Sequence, residues 1–149
     1  MSWTERLRRG LPGLWAGWML CVGLLATPAP FALLARADAG RVVSRMLAQE
    51  AYTALALGII LLVLERLAAR RSLAEGQGSQ FSTEMILLIG TLMCTVLGYF
   101  AVQPMMAAAR VGAGPLGFGA LHAISSVFFV IKVALVLALA WRHTRPARP

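Results

Sequence analysis

Charge is scarce in this sequence. Only 13% of its 149 residues are Asp, Glu, Lys or Arg, where soluble domains average about 25%. The hydrophobic fraction is 59% against a usual value of about 45–50%. A chain this apolar cannot cover a water-facing core with polar surface, which excludes an ordinary soluble domain. A bilayer lifts that requirement, because lipid solvates the excess. Histidine and cysteine are equally sparse, at two each. Cys21 and Cys94 both fall inside apolar runs and read as packed thiols. No CxxC or Cys/His spacing supports a zinc site. A haem held between spans usually needs two inward histidines. His122 and His143 lie at opposite ends of the last apolar run, so no cofactor is expected.

What charge there is carries a pattern. The net charge is +8, almost all of it arginine placed between long apolar runs. Such clusters match juxtamembrane residues that meet anionic headgroups, and they argue against nucleic acid as a partner. Membrane lipids are the expected neighbours, with a membrane-protein partner or a second copy as the other candidates.

Four segments reach the roughly 20 apolar residues that a span needs. They run from about 11 to 34, 45 to 64, 85 to 104 and 122 to 141. Arg6, Arg8 and Arg9 before the first run resemble a signal peptide's charged start, but the run exceeds the 7–15 residues of such a core. It therefore reads as a span. Arg6, Arg8, Arg9, Arg66, Arg70, Arg71, Arg142, Arg145 and Arg148 fall on one side of the four spans. Arg36, Arg41, Arg45 and Arg110 fall on the other. Nine against four predicts that both termini are cytoplasmic. The fold class expected is an all-α membrane protein, a single four-transmembrane-helix bundle. Its expected place is the bacterial cytoplasmic (inner) membrane, as a multi-pass protein. Trp3, Trp15, Trp18 and Trp141 fall near the arginine-rich side and read as interfacial anchors.

Between the spans, 72–82 with Gly76 and Gly78 reads as a polar loop, and 110–119 as a tight turn. The segment 38–49 is too polar to lie wholly in lipid, and predicts that the second helix starts above the bilayer. Gly13, Gly17 and Cys21 recur every four residues. Such a stripe lets another helix approach closely, and it reads first as packing within the bundle. Pro28 and Pro30 should kink or end the first helix.

The functional information lies in the polar exceptions. Thr91, Thr95, Tyr99 and Gln103 follow at i+4 on the third span. His122, Ser125, Ser126 and Lys132 share an arc of the fourth, and Gln49, Glu50 and Thr53 lie near the outer end of the second. Their depths coincide in the outer half of the membrane, together with Thr27 and Pro28. Glu50, Tyr99, Gln103, His122, Ser125 and Lys132 are therefore the candidate ligand-binding residues of one polar pocket. Lys132 is the most unusual. An ammonium at mid-bilayer costs about 2.5–3.5 kcal/mol on insertion scales. At about 1.5 Å rise per residue its Cα lies roughly 15 Å below the outer boundary and that of Glu50 roughly 8 Å. Helical side chains point towards the N-terminus, here outward, so Lys132 can reach Glu50 or the Tyr99 hydroxyl. His122 with Met46, Met105 and Met106 could be read as a soft copper(I) site. Packing is the plainer reading of those methionines. Ser125 and Ser126 lie one helical turn from His122, but no third group that a nucleophile needs is evident, so no enzyme is expected.

The order of these landmarks resembles the small four-span family related to transmembrane protein 205, whose bacterial members carry a domain-of-unknown-function label. Pro30-Phe31 and 39–43 look like its first outer connection, and Gln103-Pro104 like the end of its third span. The segment 121–126 resembles its His-Gly-x-Ser opening of the fourth. Ala123 stands where that family often has Gly, and Phe129 where it often has Asn, so no role of that Asn is carried over. A more distant likeness links the chain to the membrane domain of copper-resistance proteins. The resemblance implies four spans and a membrane location, and leaves the activity open. The expectation is an uncharacterised membrane protein, a small ligand-binding or transport-accessory subunit. The alternative is a structural subunit of a larger complex, and a copper-handling or redox protein comes third.

Overall fold

The protein was analysed as a computed structural model, which describes residues 2–77 and 79–144. Gly78, Arg145 and Arg148, all used in the reading above, lie outside the described residues. Every regular element among those described is helical. Four continuous helical stretches, Trp3–Leu33, Arg36–Ala74, Thr83–Arg110 and Phe118–Thr144, are long and apolar enough to cross a membrane.

The first stretch starts as α1 (Trp3–Cys21), with the Ser2 hydroxyl accepting from the Glu5 N–H at its open end. A π turn (Val22–Ala26) follows, then α2 (Pro28–Leu33). The prolines explain the widened turn. Pro28 and Pro30 offer no N–H to the carbonyls one turn earlier. Just before them Thr27 closes the widened turn, donating both its N–H (2.9 Å) and its hydroxyl (2.7 Å) to the Val22 carbonyl. The expected kink is thus a π turn that keeps the span continuous.

The second stretch, α3 (Arg36–Ala74), is one helix of 39 residues. At 1.5 Å per residue it is about 58 Å long, well beyond the roughly 30 Å hydrocarbon core. It starts nine residues before the expected span and runs ten beyond it. Gly76, at φ 74°, ends it. Gln77 N–H returns to Ser72 O and Gly76 N–H to Leu73 O, a paired C-cap that needs a left-handed residue. The polar loop is correspondingly shorter than 72–82. The third stretch has α4 (Thr83–Thr95), capped by Ser82, a second π turn (Val96–Ala101) and α5 (Val102–Arg110). Pro104 removes a donor just after that π turn, as Pro28 does in the first. The last stretch is α6 (Phe118–Thr144).

The helices form a ring. α1 packs on α3 and α6, and α4 packs on α3 and α6. Trp15, Met19, Ala54, Leu61, Leu88, Val136 and Leu139 fill the centre. Ion pairs bring four helix ends together. Arg8 meets Glu65 at 3.0 Å and Arg142 meets Glu84 at 2.8 Å. The start of α1, the end of α3, the start of α4 and the end of α6 thus share one end of the bundle.

Two expectations fail in the same way. Trp15 is not an interfacial anchor. It is 1% exposed, with its ring against Gly58 in the core. Nor does the Gly13–Gly17–Cys21 stripe pack inside the bundle. Gly13, Gly17 and Cys21 are exposed, and a Cβ added at Gly13 or Gly17 meets nothing within 4 Å. The inward face of α1 is instead Pro12, Trp15, Ala16 and Met19. Gly13→Ala and Gly17→Ala are therefore expected to leave the isolated bundle unharmed or to stabilise it by up to about 1 kcal/mol, the helix-propensity gain. Reversible unfolding in mixed micelles reads this, and a loss beyond 1 kcal/mol would restore the packing reading.

Candidate functional site

At the bundle end away from the chain's first and last helical turns, the ring opens into a cavity of about 390 Å³, a ligand-sized space. All six candidate residues, Glu50, Tyr99, Gln103, His122, Ser125 and Lys132, line it. The structure brings them together from α3, the second π turn, α5 and α6. Gln49 and Thr53 are not among the lining residues.

Its floor is an ion pair. Lys132 Nζ donates to Glu50 Oε1 at 2.9 Å and to Oε2 at 2.7 Å. Both residues are buried, at 3% and 2% exposure. α3 and α6 stand opposite each other across the ring, so this pair crosses the bundle centre. Of the two partners considered for Lys132, Glu50 rather than Tyr99 takes the bond. The Lys132 ammonium also lies 5.0 Å from the centre of the Phe129 ring, within cation–π reach.

Both π turns form walls of the cavity, the first through Gly23 and Leu24 and the second through Gly98 and Tyr99. Widened turns of this kind often mark functional positions, because they re-aim side chains and free carbonyls. The Gly98 carbonyl is bonded across the helices by the Ser125 hydroxyl at 2.7 Å. Each π turn also carries a notch. A Cβ at Gly98 would sit 2.5 Å from Phe128 Cβ, and one at Gly23 would sit 3.0 Å from Phe129 Cε1. Two adjacent phenylalanines of α6 thus rest on the two π turns.

The remaining polar groups divide by role. Thr91 and Thr95 are buried, and their hydroxyls donate to the carbonyls four residues back in their own helix. Thr91 lies behind the cavity wall, whereas Thr95 lines the cavity with its hydroxyl proton already committed to its own helix. The Ser126 hydroxyl donates to the His122 carbonyl at 2.8 Å, so both serine hydroxyls are engaged with backbone. Tyr99, Gln103 and His122 stand at the mouth, with no side-chain hydrogen bond among the described residues. The His122 ring stacks on Phe118 at 6.0 Å and 9°, and Arg110 lies over the same Phe118 at 5.0 Å. Met106 lines the cavity with His122, whereas Met105 is 41% exposed and Met46 is not a lining residue. Among the described residues no three His, Cys, Asp or Glu side chains converge as metal ligands.

Sequence reasoning missed several features. Cys94, Gly23, Gly98 and Phe129 line the cavity. The two prolines that follow the π turns were the only signal for them. It also missed a second buried charge at the opposite end. Glu65 is 3% exposed and accepts from Arg8 Nη1 at 3.0 and 3.3 Å. His143 Nε2 approaches Glu65 Oε1 to 3.1 Å, within ion-pair distance but out of line for a hydrogen bond. Arg8 and Arg9 both hold Glu5 as well. Arg8, counted as a topology charge, is thus also a structural tie between α1 and α3.

No curated protein and no solved structure gives a match to this chain. One family profile does match, over residues 11–114, and its description is Domain of unknown function (DUF4149). The matched stretch carries Glu50, Tyr99 and Gln103 but ends before α6, which supplies His122, Ser125 and Lys132. With more than half its length matched, this multi-pass helical membrane protein belongs to the DUF4149 family.

Proposed function

We propose that this protein binds a small molecule in the cavity, as a ligand-binding or transport-accessory subunit of the bacterial inner membrane. The observation that carries this reading is the convergence of an ion-paired floor with three polar side chains, Tyr99, Gln103 and His122, that have no side-chain hydrogen bond among the described residues, around one ligand-sized space. Buried charges inside membranes are costly and by default functional. Both serine hydroxyls are engaged with backbone, which supports a binding role for these two residues. The arginine distribution supports cytoplasmic termini and, with them, a cavity in the outer half of the membrane. The landmark order from Pro30 to Ser126 supports a distant kinship with the transmembrane protein 205 group.

The test is co-purification in native lipid. The protein is extracted with its surrounding bilayer and its small molecules are identified by mass spectrometry. A species near one equivalent is expected with the wild-type chain, at least tenfold depleted when Gln103→Leu and His122→Phe are combined. Equal amounts with both chains would defeat the reading.

A second reading, a scaffold packed against a larger membrane complex, is supported by the outward Gly13–Gly17–Cys21 stripe. Gentle extraction should then yield a stoichiometric protein partner that Gly13→Leu with Gly17→Leu releases. A monomer from native membranes would count against it.

A further inference from the structure

The cavity wall is not closed on all sides. Three of its lining residues, Leu20, Leu24 and Val130, are also on the outer surface of the bundle, at 36%, 69% and 66% exposure. Leu20 belongs to α1, Leu24 to the first π turn and Val130 to α6, neighbours in the ring. All three lie within the apolar stretches that face hydrocarbon. Between them and the ion pair stands Phe129. Its ring edge rests against the Gly23 notch, and its face lies 5.0 Å from the Lys132 ammonium. The ring also packs against the central core, so it separates that core from the surface at this point of the wall.

The charge arrangement restricts what can enter. Lys132 gives its bonds to both oxygens of Glu50, so the floor carries two charges that cancel. A third charge brought beside them would be desolvated without a partner of its own. The groups lining the mouth are a phenol, an amide and an imidazole, which both donate and accept hydrogen bonds, and the nearby Arg110 is turned onto Phe118 and is not a lining residue. Met19, Leu47 and Val133 supply apolar wall.

We infer that the cavity takes an uncharged amphiphile, a long hydrocarbon tail with a hydroxyl or carbonyl head, from the lipid phase through the gap between the first and fourth spans. This rests on the binding reading above and adds the class of ligand and its route. The head bonds to Tyr99, Gln103 and His122. The tail lies along Met19 and Val133 towards Leu24 and Val130. Phe129 lines the side wall.

Cys94 lines the cavity and reports on both points. With Cys21→Ser it is the single thiol, since the chain has two cysteines. The full-length protein is placed in phosphatidylcholine vesicles and treated with N-dodecylmaleimide or with a membrane-impermeant stilbene disulfonate maleimide. The dodecyl reagent is expected to label Cys94 at least tenfold faster. Val130→Phe or Leu24→Phe should slow it about fivefold, while Val130→Ala, which keeps the gap open, should not. Cys21, in a Cys94→Ser chain, controls for reagent partitioning and should label equally in all of these backgrounds. 1-Hexadecanol should protect Cys94, and palmitate at the same membrane mole fraction should protect at least fivefold less. Faster labelling by the disulfonate, or indifference to the two phenylalanine variants, overturns the lateral route but leaves small-molecule binding standing. Equal or better protection by palmitate overturns the uncharged class. Protection by neither amphiphile overturns the ligand class altogether, and the co-purification result then decides separately whether anything binds.

Discussion

Replacing Lys132 with Met is expected to destabilise the bundle by about 3–5 kcal/mol, the usual cost of orphaning one member of a buried ion pair. The cause is Glu50, which keeps its place at 2% exposure with no counter-charge. Either it stays ionised in a low-dielectric interior or it takes up a proton and loses two charge-assisted bonds. Glu50→Gln is the milder single change, because an ammonium can recruit carbonyls and the Phe129 face. The combination Lys132→Met with Glu50→Gln removes both charges and restores most of the loss, since apolar replacements of a buried pair are often neutral. The double-mutant cycle, read by reversible unfolding in mixed micelles, should give a coupling of about 1–3 kcal/mol. Additivity within about 0.5 kcal/mol would mean that the two side chains act independently.

Gly98→Ala should be the most damaging single methyl group in the protein. The added Cβ would lie 2.5 Å from Phe128 Cβ, 3.2 Å from its Cγ and 3.6 Å from its Cδ2. Phe128 cannot rotate away from a clash at its own Cβ, so α6 must retreat from the second π turn. That retreat stretches the 2.7 Å bond from Ser125 to the Gly98 carbonyl. Overpacking of this kind costs about 1–3 kcal/mol, and a strained interhelical hydrogen bond adds about 0.6 kcal/mol in a membrane. Gly23→Ala makes the contrast. Its 3.0 Å contact is with Phe129 Cε1, the far end of a ring beside open space. It should cost under about 1 kcal/mol, because the far end of a ring can give slightly where a fixed Cβ cannot. Parallel unfolding curves of the two variants check the order, and equal losses would show that the notches are alike.

The parts of this structure that were legible from the chain are those in which lipid and protein differ chemically. Apolar runs and arginine clusters show four spans, because lipid excludes charge. Glu50 and Lys132 stood out for the same reason, and simple rise-per-residue arithmetic put them at compatible depths. What was hidden is orientation within the membrane. A helix face turned to lipid and one turned to a neighbouring helix are both apolar, so hydropathy does not separate them. That is why the Gly13–Gly17 stripe was assigned inward and Trp15 outward, the reverse of what the packing shows. The π turns were hidden for a different reason. Pro28 and Pro104 signal that a carbonyl loses its donor, but whether the helix breaks, kinks or widens depends on a nearby group. A hydroxyl bonds into each turn, from Thr27 to the Val22 carbonyl at the first and from Ser125 of another helix to the Gly98 carbonyl at the second. Glu65 escaped notice because it adjoins Arg66 where an apolar run ends. Only the fold shows that α3 continues past it and that Arg8 and His143 close over it.

The ionisation state of Glu50 is the most direct test of a cavity floored by a buried ion pair. Isotope-edited infrared spectra of protein carrying labelled glutamate, with the Glu50→Gln spectrum subtracted, isolate this one side chain in the membrane. The ion pair predicts a carboxylate band in the wild-type chain, converted to a protonated carboxyl band by Lys132→Met. A protonated carboxyl already present in the wild-type protein, unchanged by the loss of Lys132, would contradict it.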